Sequence, residues 1–119
     1  MSNGKKLTAS NIRYLIAIKG IKPIDGGTRC VDIARAMGYK RPSVHKMMDS
    51  FVGMGLVEKS PRGTIRFTKR GEKIASKYSR YYVAVEKMIR DAFPEAEETD
   101  DAVCSLLSAL PESSLGRYV

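Results

Sequence analysis

Apolar and polar positions follow two different periods along this chain, and the switches between them mark its elements. Over residues 7–18, Leu7, Ile12, Leu15, Ile16 and Ile18 fall close to one helical stripe, with Thr8 or Ser10 placed to cap it. Gly20, Pro23 and the Gly26-Gly27 pair stop that helix and open a loop. Val31, Ile33, Ala34 and Met37 then have one-face helical spacing, with Asp32 in the first turn where the helix dipole favours an acid. Gly38 ends this helix. Pro42 suits the first turn of the next, over 41–53, because its missing N–H is not needed there. Val44, Met47, Met48, Phe51 and Val52 form the apolar face of that second helix, and Gly53 and Gly55 close it.

Two short helices joined by a tight turn containing glycine make a helix-turn-helix. Residues 56–59 read as a short strand, Ser60-Pro61-Arg62-Gly63 has turn composition, and 64–68 alternate with period two. A basic hairpin directly after a helix-turn-helix is the winged-helix order. Thr68 then caps a long helix over about 70–93, in which Ile74, Tyr78, Tyr81, Val85, Met88 and Ala92 are spaced 4, 3, 4, 3 and 4. That is a heptad seam, the pattern of one helix lying along another, and a plain core helix is the alternative. Tyr82 and Ile89 widen the seam. Pro94 and the acidic run 95–98 break the chain. A further helix carries Val103, Leu106, Leu107 and Leu110 up to Pro111, and residues 112–118 allow another turn or two. The expected fold is mainly α with a small β-hairpin wing: a winged helix-turn-helix over 1–72, then dimerisation helices over 73–119.

Charge sharpens this picture. The 119 residues hold 21 Lys and Arg against 13 Asp and Glu, for a net charge of +8. Residues 1–90 carry 20 basic and 6 acidic side chains, a balance of +14, and residues 91–119 carry 1 and 7, a balance of −6. A strongly basic body with an acidic tail is the footprint of a polyanion binder, although charge alone does not separate DNA, RNA and anionic lipid. The local pattern favours DNA. In a helix-turn-helix the start of the second helix meets base edges. With Val44, Met47 and Met48 facing inward, Lys40, Arg41, Ser43 and Lys46 are left for that contact. Lys59, Arg62 and Arg66 on the hairpin, followed by Lys69 and Arg70, supply phosphate contacts that position the domain without reading sequence.

Catalysis has little to build on. His45, the single histidine, sits in the basic second helix without a cysteine or carboxylate partner, and neither GxxxxGKS nor GxGxxG occurs. The protein is expected not to be an enzyme. No apolar run reaches the roughly 18 residues that span a bilayer, and the first ten residues lack the apolar stretch of a secretory signal. Cys30 and Cys104, 74 positions apart, are expected to be buried, reduced thiols in a cytoplasm.

The stretch DIARAMGYKRPSVHKMMDSFVGMGLVEKSPRGTIRFTKRGEKIASKYSRYYVAVE resembles the metal-dependent repressors typified by the diphtheria toxin repressor and the manganese transport regulator. The pattern PSVxxMxxxFxxxGLV and the FTKRG after the hairpin carry the likeness most strongly, within a match over about 7–112. The resemblance implies homodimers on palindromic double-stranded DNA, contacts from Lys40, Pro42, Ser43 and Lys46, and repression of metal-uptake genes with bound Fe(II) or Mn(II). The ligand positions do not carry over. Ser10 stands at the first, Arg80-Tyr81-Tyr82 offers tyrosines in place of histidine, and the later motif reads Val103, Leu106 and Leu107. Shifting the register brings in Cys104 with Leu107 and Ser108. Glu86 and Cys104 are the only relics, too few donors for a divalent ion. The last dimerisation helix is expected to be short. The expectation is therefore a dimeric transcription regulator without the usual metal site and without a cofactor. A winged-helix protein-interaction module, or a regulator of the same type still responding to metal or to thiol oxidation, are the alternatives.

Overall fold

The structure, a computed structural model, describes residues 6–24 and 26–115. Among these described residues, six helices and three short strands follow one another as α1 (Ala9–Gly20), β1 (Thr28–Arg29), α2 (Cys30–Met37), α3 (Arg41–Gly53), β2 (Val57–Lys59), β3 (Thr64–Phe67), α4 (Lys69–Ala92), α5 (Asp100–Ala109) and α6 (Glu112–Leu115). Residues 116–118, expected to extend the last turn, lie outside the described residues.

They divide into two compact units. One is Leu15–Ser76; the other joins the start of the chain, up to Tyr14, with everything from Lys77 on.

The Leu15–Ser76 unit holds the helix-turn-helix and the wing. Gly38, at φ +73°, ends α2 in the left-handed region that a side chain would disfavour, and the Tyr39 N–H closes the turn on the Ala34 carbonyl at 3.0 Å. α3 ends on a paired closure in which the Leu56 N–H reaches the Phe51 carbonyl and the Gly55 N–H reaches that of Val52. Ile33 and Ala34 of α2, Val44, Met48 and Phe51 of α3, and Leu56, Val57 and Ile65 are buried together as its core. Burying each of the large ones contributes roughly 1.5–3 kcal/mol. Val52, assigned to the apolar face of α3 from spacing, is 43% exposed.

The wing is a three-stranded antiparallel sheet of order β1-β3-β2 rather than an isolated hairpin. Lys59 pairs with Ile65 and Val57 with Phe67, while β1 adds Thr28 opposite Ile65 and Arg29 opposite Thr64. Residues 28–29 carry no strand signal in the sequence, where they fall in the loop opened by Gly20, Pro23 and Gly26-Gly27. Two residues are too few to show a period of two, and this strand forms because β3 presents an open edge to it.

In the other unit, Thr8 and Asn11 cap α1 reciprocally. The Asn11 N–H donates to Thr8 Oγ1 at 3.0 Å and the Thr8 N–H to Asn11 Oδ1 at 3.1 Å, so Thr8 rather than Ser10 is the cap. Ile12, Tyr14, Tyr78, Tyr81, Val85, Val103, Cys104, Leu107 and Leu115 are buried here. Tyr78 and Tyr81 meet edge to face at 5.3 Å. An ion pair between Lys77 and Glu112 ties α4 to α6.

Along α4 the buried positions are Gly71, Ala75, Tyr78, Tyr81 and Val85. The heptad seam is therefore buried only in part: Ala75 replaces Ile74 at its start, and Met88 and Ala92 at its end are exposed.

Candidate nucleic-acid interface

α3 is built with two chemically distinct faces. Lys40 precedes its first turn in extended conformation, and Pro42 occupies that turn. Val44 and Met48, four residues apart, point into the core at 0% exposure, and Met47 is half-buried. Lys40, Arg41, Pro42, Ser43, His45 and Lys46 are left exposed. The helix thus presents cations and hydroxyl and imidazole groups at its N-terminal end while its opposite face is anchored. Arg and Lys are donors with the reach to bind guanine O6 and N7, and Ser bonds either a base or a phosphate.

The wing cations are arranged less simply. Lys59 shares the core side of the sheet with its partner Ile65, and its ammonium reaches across to Asp49 of α3 at 3.4 Å. Arg66 lies on the other side opposite Glu58 and pairs with it at 3.7 Å. Both pairs are largely solvated, so each is worth little in stability, but each neutralises part of the positive field. Arg62 sits exposed in the turn. That turn is shaped by Ser60, whose Oγ accepts the N–H groups of Arg62 at 3.2 Å and Thr64 at 3.1 Å and lies 2.7 Å from Thr64 Oγ1. Arg29, Lys59, Arg62 and Arg66 line one open groove of about 750 Å³, with Glu58 as its single acidic wall.

Arg29 is the residue that the sequence reading missed. Only the pairing of the two-residue strand, which places it opposite Thr64, puts it on the same side of the sheet as Arg66. Lys69 and Arg70 follow the wing, and the Arg70 guanidinium donates to the Met54 carbonyl at 2.5 Å, bracing the end of α3.

The positions at which the resembled repressors hold a metal carry other chemistry here. Glu86 accepts a hydrogen bond from Thr99 Oγ1 at 3.0 Å and pairs with Arg90 at 3.4 Å. Cys104 is fully buried, and burial pushes its thiol up to about 11. Tyr82 donates to Asp100 at 2.7 Å, and burial followed by that bond raises its phenol strongly. Among the described residues no three His, Cys, Asp and Glu side chains are grouped so as to hold a metal ion.

Known proteins share this architecture. Residues 23–61 match the model of the IclR helix-turn-helix domain. The transcriptional regulator MntR of Escherichia coli O6:H1 is 34% identical over 64 residues, which are 54% of this chain and 41% of that protein; MntR of Escherichia coli O157:H7 gives the same figures. The chain thus spans about two fifths of the length of these curated relatives. Among solved structures, T. acidophilum IdeR superposes with a TM-score of 0.67 at 22% identity, over 97% of this chain and 54% of its own. A hypothetical protein from Sulfolobus solfataricus gives 0.65 at 18%, over 94% and 86%. The multiple antibiotic-resistance repressor MarR from Listeria monocytogenes gives 0.51 at 18%, over 92% and 80%. At these identities the structural likeness establishes the fold, a winged helix followed by further helices.

Proposed function

We propose that the chain is a homodimeric, sequence-specific DNA-binding transcription regulator that acts in the cytoplasm and works as a binding protein rather than an enzyme. The observation that carries this reading is the polarity of α3: Val44 and Met48 are buried while Lys40, Arg41, Ser43 and Lys46 stand exposed at the end of the helix that enters a groove. The match to a helix-turn-helix model over 23–61 and the similarity to a transcriptional regulator support it.

In this mechanism the net charge of +8 draws the protein to a polyanion. Arg29 and Arg62 in the wing groove neutralise phosphates and set the register, and the first turn of α3 reads base edges. The second copy docks on the part of α4 that its own chain leaves open. Met88 and Ala92, the end of the heptad seam, are exposed there, Met88 at 47%, and a seam left open within one chain is what a partner helix covers. A two-fold dimer presents two recognition helices to half-sites about one helical turn, or a multiple of it, apart. The usual metal site is lost, since Tyr82, Leu106 and Leu107 stand where donors are needed.

Selection of bound duplexes from a random pool, run with Mn(II), with Fe(II) and with chelator, tests the whole reading. The expected product is one palindromic motif enriched equally in all three arms. Recovery of unenriched sequence would point instead to the protein-interaction reading, and enrichment only with metal would restore a metal sensor.

A further inference from the structure

A densely connected polar cluster lies away from the wing, where the start of α1 meets α4 and α5. Arg13 Nε donates to Asp100 Oδ2 at 2.7 Å, and its Nη2 donates to Asp101 Oδ1 at 2.5 Å. The second oxygen of Asp100 accepts the Tyr82 hydroxyl at 2.7 Å. Beside this, Glu86 of α4 takes Thr99 Oγ1 and Arg90, and Arg90 Nη2 also lies 3.4 Å from Thr99 Oγ1. The Arg13 side chain is only 23% exposed, whereas those of its partners Asp100 and Asp101 are 52% and 95% exposed. The cation is thus the inner member of the group and the acids form its outer rim.

This is the wrong chemistry for a divalent ion. Both oxygens of Asp100 are already committed, one to a guanidinium and one to a phenol. Cys104 nearby is a fully buried thiol, and a metal ligand has to give up its proton. A guanidinium already seated against two carboxylates would repel an incoming dication.

We propose that Arg13 is the resident cation of this cluster, binding the start of α1 to α4 and α5 so that no diffusible metal is needed to hold them. In the repressors that the sequence resembles, a divalent ion binds near the same positions. Here a covalently attached, permanently charged group makes the arrangement constitutive. Arg offers two parallel N–H donors to two carboxylates, and the acids sit in the first turn of α5, where the helix dipole adds to their stabilisation.

The inference rests on the unit formed by the start of the chain and everything from Lys77 on, and it stands whether or not the wing binds DNA. Its test therefore reads thermal unfolding and metal binding rather than operator affinity. The parent chain, Arg13→Met, Asp100→Asn and the double variant are melted in EDTA and in 1 mM MnCl2, and Mn(II) uptake is measured by equilibrium dialysis. The unaltered protein is expected to melt at the same temperature in both buffers and to take up no Mn(II). Arg13→Met and Asp100→Asn each lower the midpoint by several degrees. The double variant falls by less than the sum of the two, because both substitutions break the Arg13–Asp100 contact. Arg13→Met also regains part of its loss in MnCl2, since Asp100, Asp101 and Glu86 are left with one cation fewer. A midpoint of the unaltered protein that rises with Mn(II), Arg13→Met as stable as the parent, or strictly additive losses would each overturn the proposal. Should Arg13→Met fail to fold, Asp100→Asn and the two metal measurements on the parent still decide it.

Discussion

Gly71, in the first turn of α4, sits directly under the carbonyl of Leu56, the residue that leads into the wing. A Cβ built on Gly71 would stand 1.9 Å from the Leu56 oxygen and 2.8 Å from its carbonyl carbon. That carbonyl also accepts the Thr68 N–H at 3.0 Å, so it has no freedom to move aside. Thr68 stitches the same corner, donating its hydroxyl to the Gly55 carbonyl at 2.7 Å while accepting the Gly71 N–H at 2.9 Å. The glycine of the FTKRG segment is therefore a close-packing requirement between helix and strand.

Gly71→Ala is accordingly expected to destabilise the protein by about 3 kcal/mol or more, because the clash is with backbone and only a shift of α4 or β2 relieves it. Urea unfolding monitored by circular dichroism measures this directly; a loss below about 1 kcal/mol would contradict it. Gly20→Ala is the matched control, since nothing lies within 4 Å of a Cβ there.

Arg62→Ala should weaken binding to every duplex by a similar factor and lower the salt slope by about 1, as removal of one phosphate contact does. Lys46→Ala should instead relax preference at one or two base pairs, at a cost of about 1–3 kcal/mol on the cognate site. Titrations against operator and random DNA separate the two. With six to ten phosphates contacted, affinity of the parent should fall roughly 10³ to 10⁵-fold between 50 and 200 mM salt.

Met88→Glu is expected to convert a dimer into a monomer with little loss of monomer stability, because Met88 is 47% exposed within its own chain. Sedimentation equilibrium reads the outcome, and half-site spacing should vanish from the selected DNA. A dimer that survives both Met88→Glu and Phe93→Glu would place the contact elsewhere.

Asp100 and Glu72 link stability to acid pH. Burial works to raise Asp100, but hydrogen bonds from Arg13 and Tyr82 outweigh it and hold the carboxyl below its ordinary value. The Lys19 hydrogen bond does the same for Glu72. Both groups have lower values folded than unfolded, so their contribution is complete above the ordinary carboxylate range, roughly pH 4, and is lost as pH falls through the lowered values. Asp100→Asn should flatten the decline in melting temperature below that point, as melts between pH 2.5 and 7 would reveal.

Burial raises the thiols of Cys30 and Cys104, the latter to about 11. At pH 7.5 native Cys104 should react with iodoacetamide at least roughly 10²-fold more slowly than an ordinary thiol, because so little thiolate is present. Mass spectrometry before and after unfolding in guanidinium would show the rate recovering. Fast labelling of the native protein would revive regulation by thiol oxidation.

The helix-turn-helix was legible because its signals are local: one-face spacing in α2 and α3, Gly38 at the turn and Pro42 at the next start. The buried trio Val44, Met48 and Phe51 follows from that spacing alone. β1 was not legible, since Thr28-Arg29 gains strand character only from the edge of β3. Nor was the end of the heptad seam, where Met88 and Ala92 match the pattern yet stand in water. The hairpin cations Lys59, Arg62 and Arg66 are legible from composition and Arg29 is not, while the pairing of Lys59 with Asp49 and Arg66 with Glu58 depends on which side of a sheet each residue takes.

Periodicity, capping residues and charge balance determined by themselves the order of the helices and the hairpin, the two-faced recognition helix and the basic character of the chain, because each is set by residues within a turn or two of one another. Tertiary structure alone decided what sits between distant segments: the Leu56 carbonyl over Gly71, Arg29 beside Arg66, and Arg13 clamped between acids 87 and 88 positions away. Such contacts are governed by distances in space that no local rule of spacing encodes.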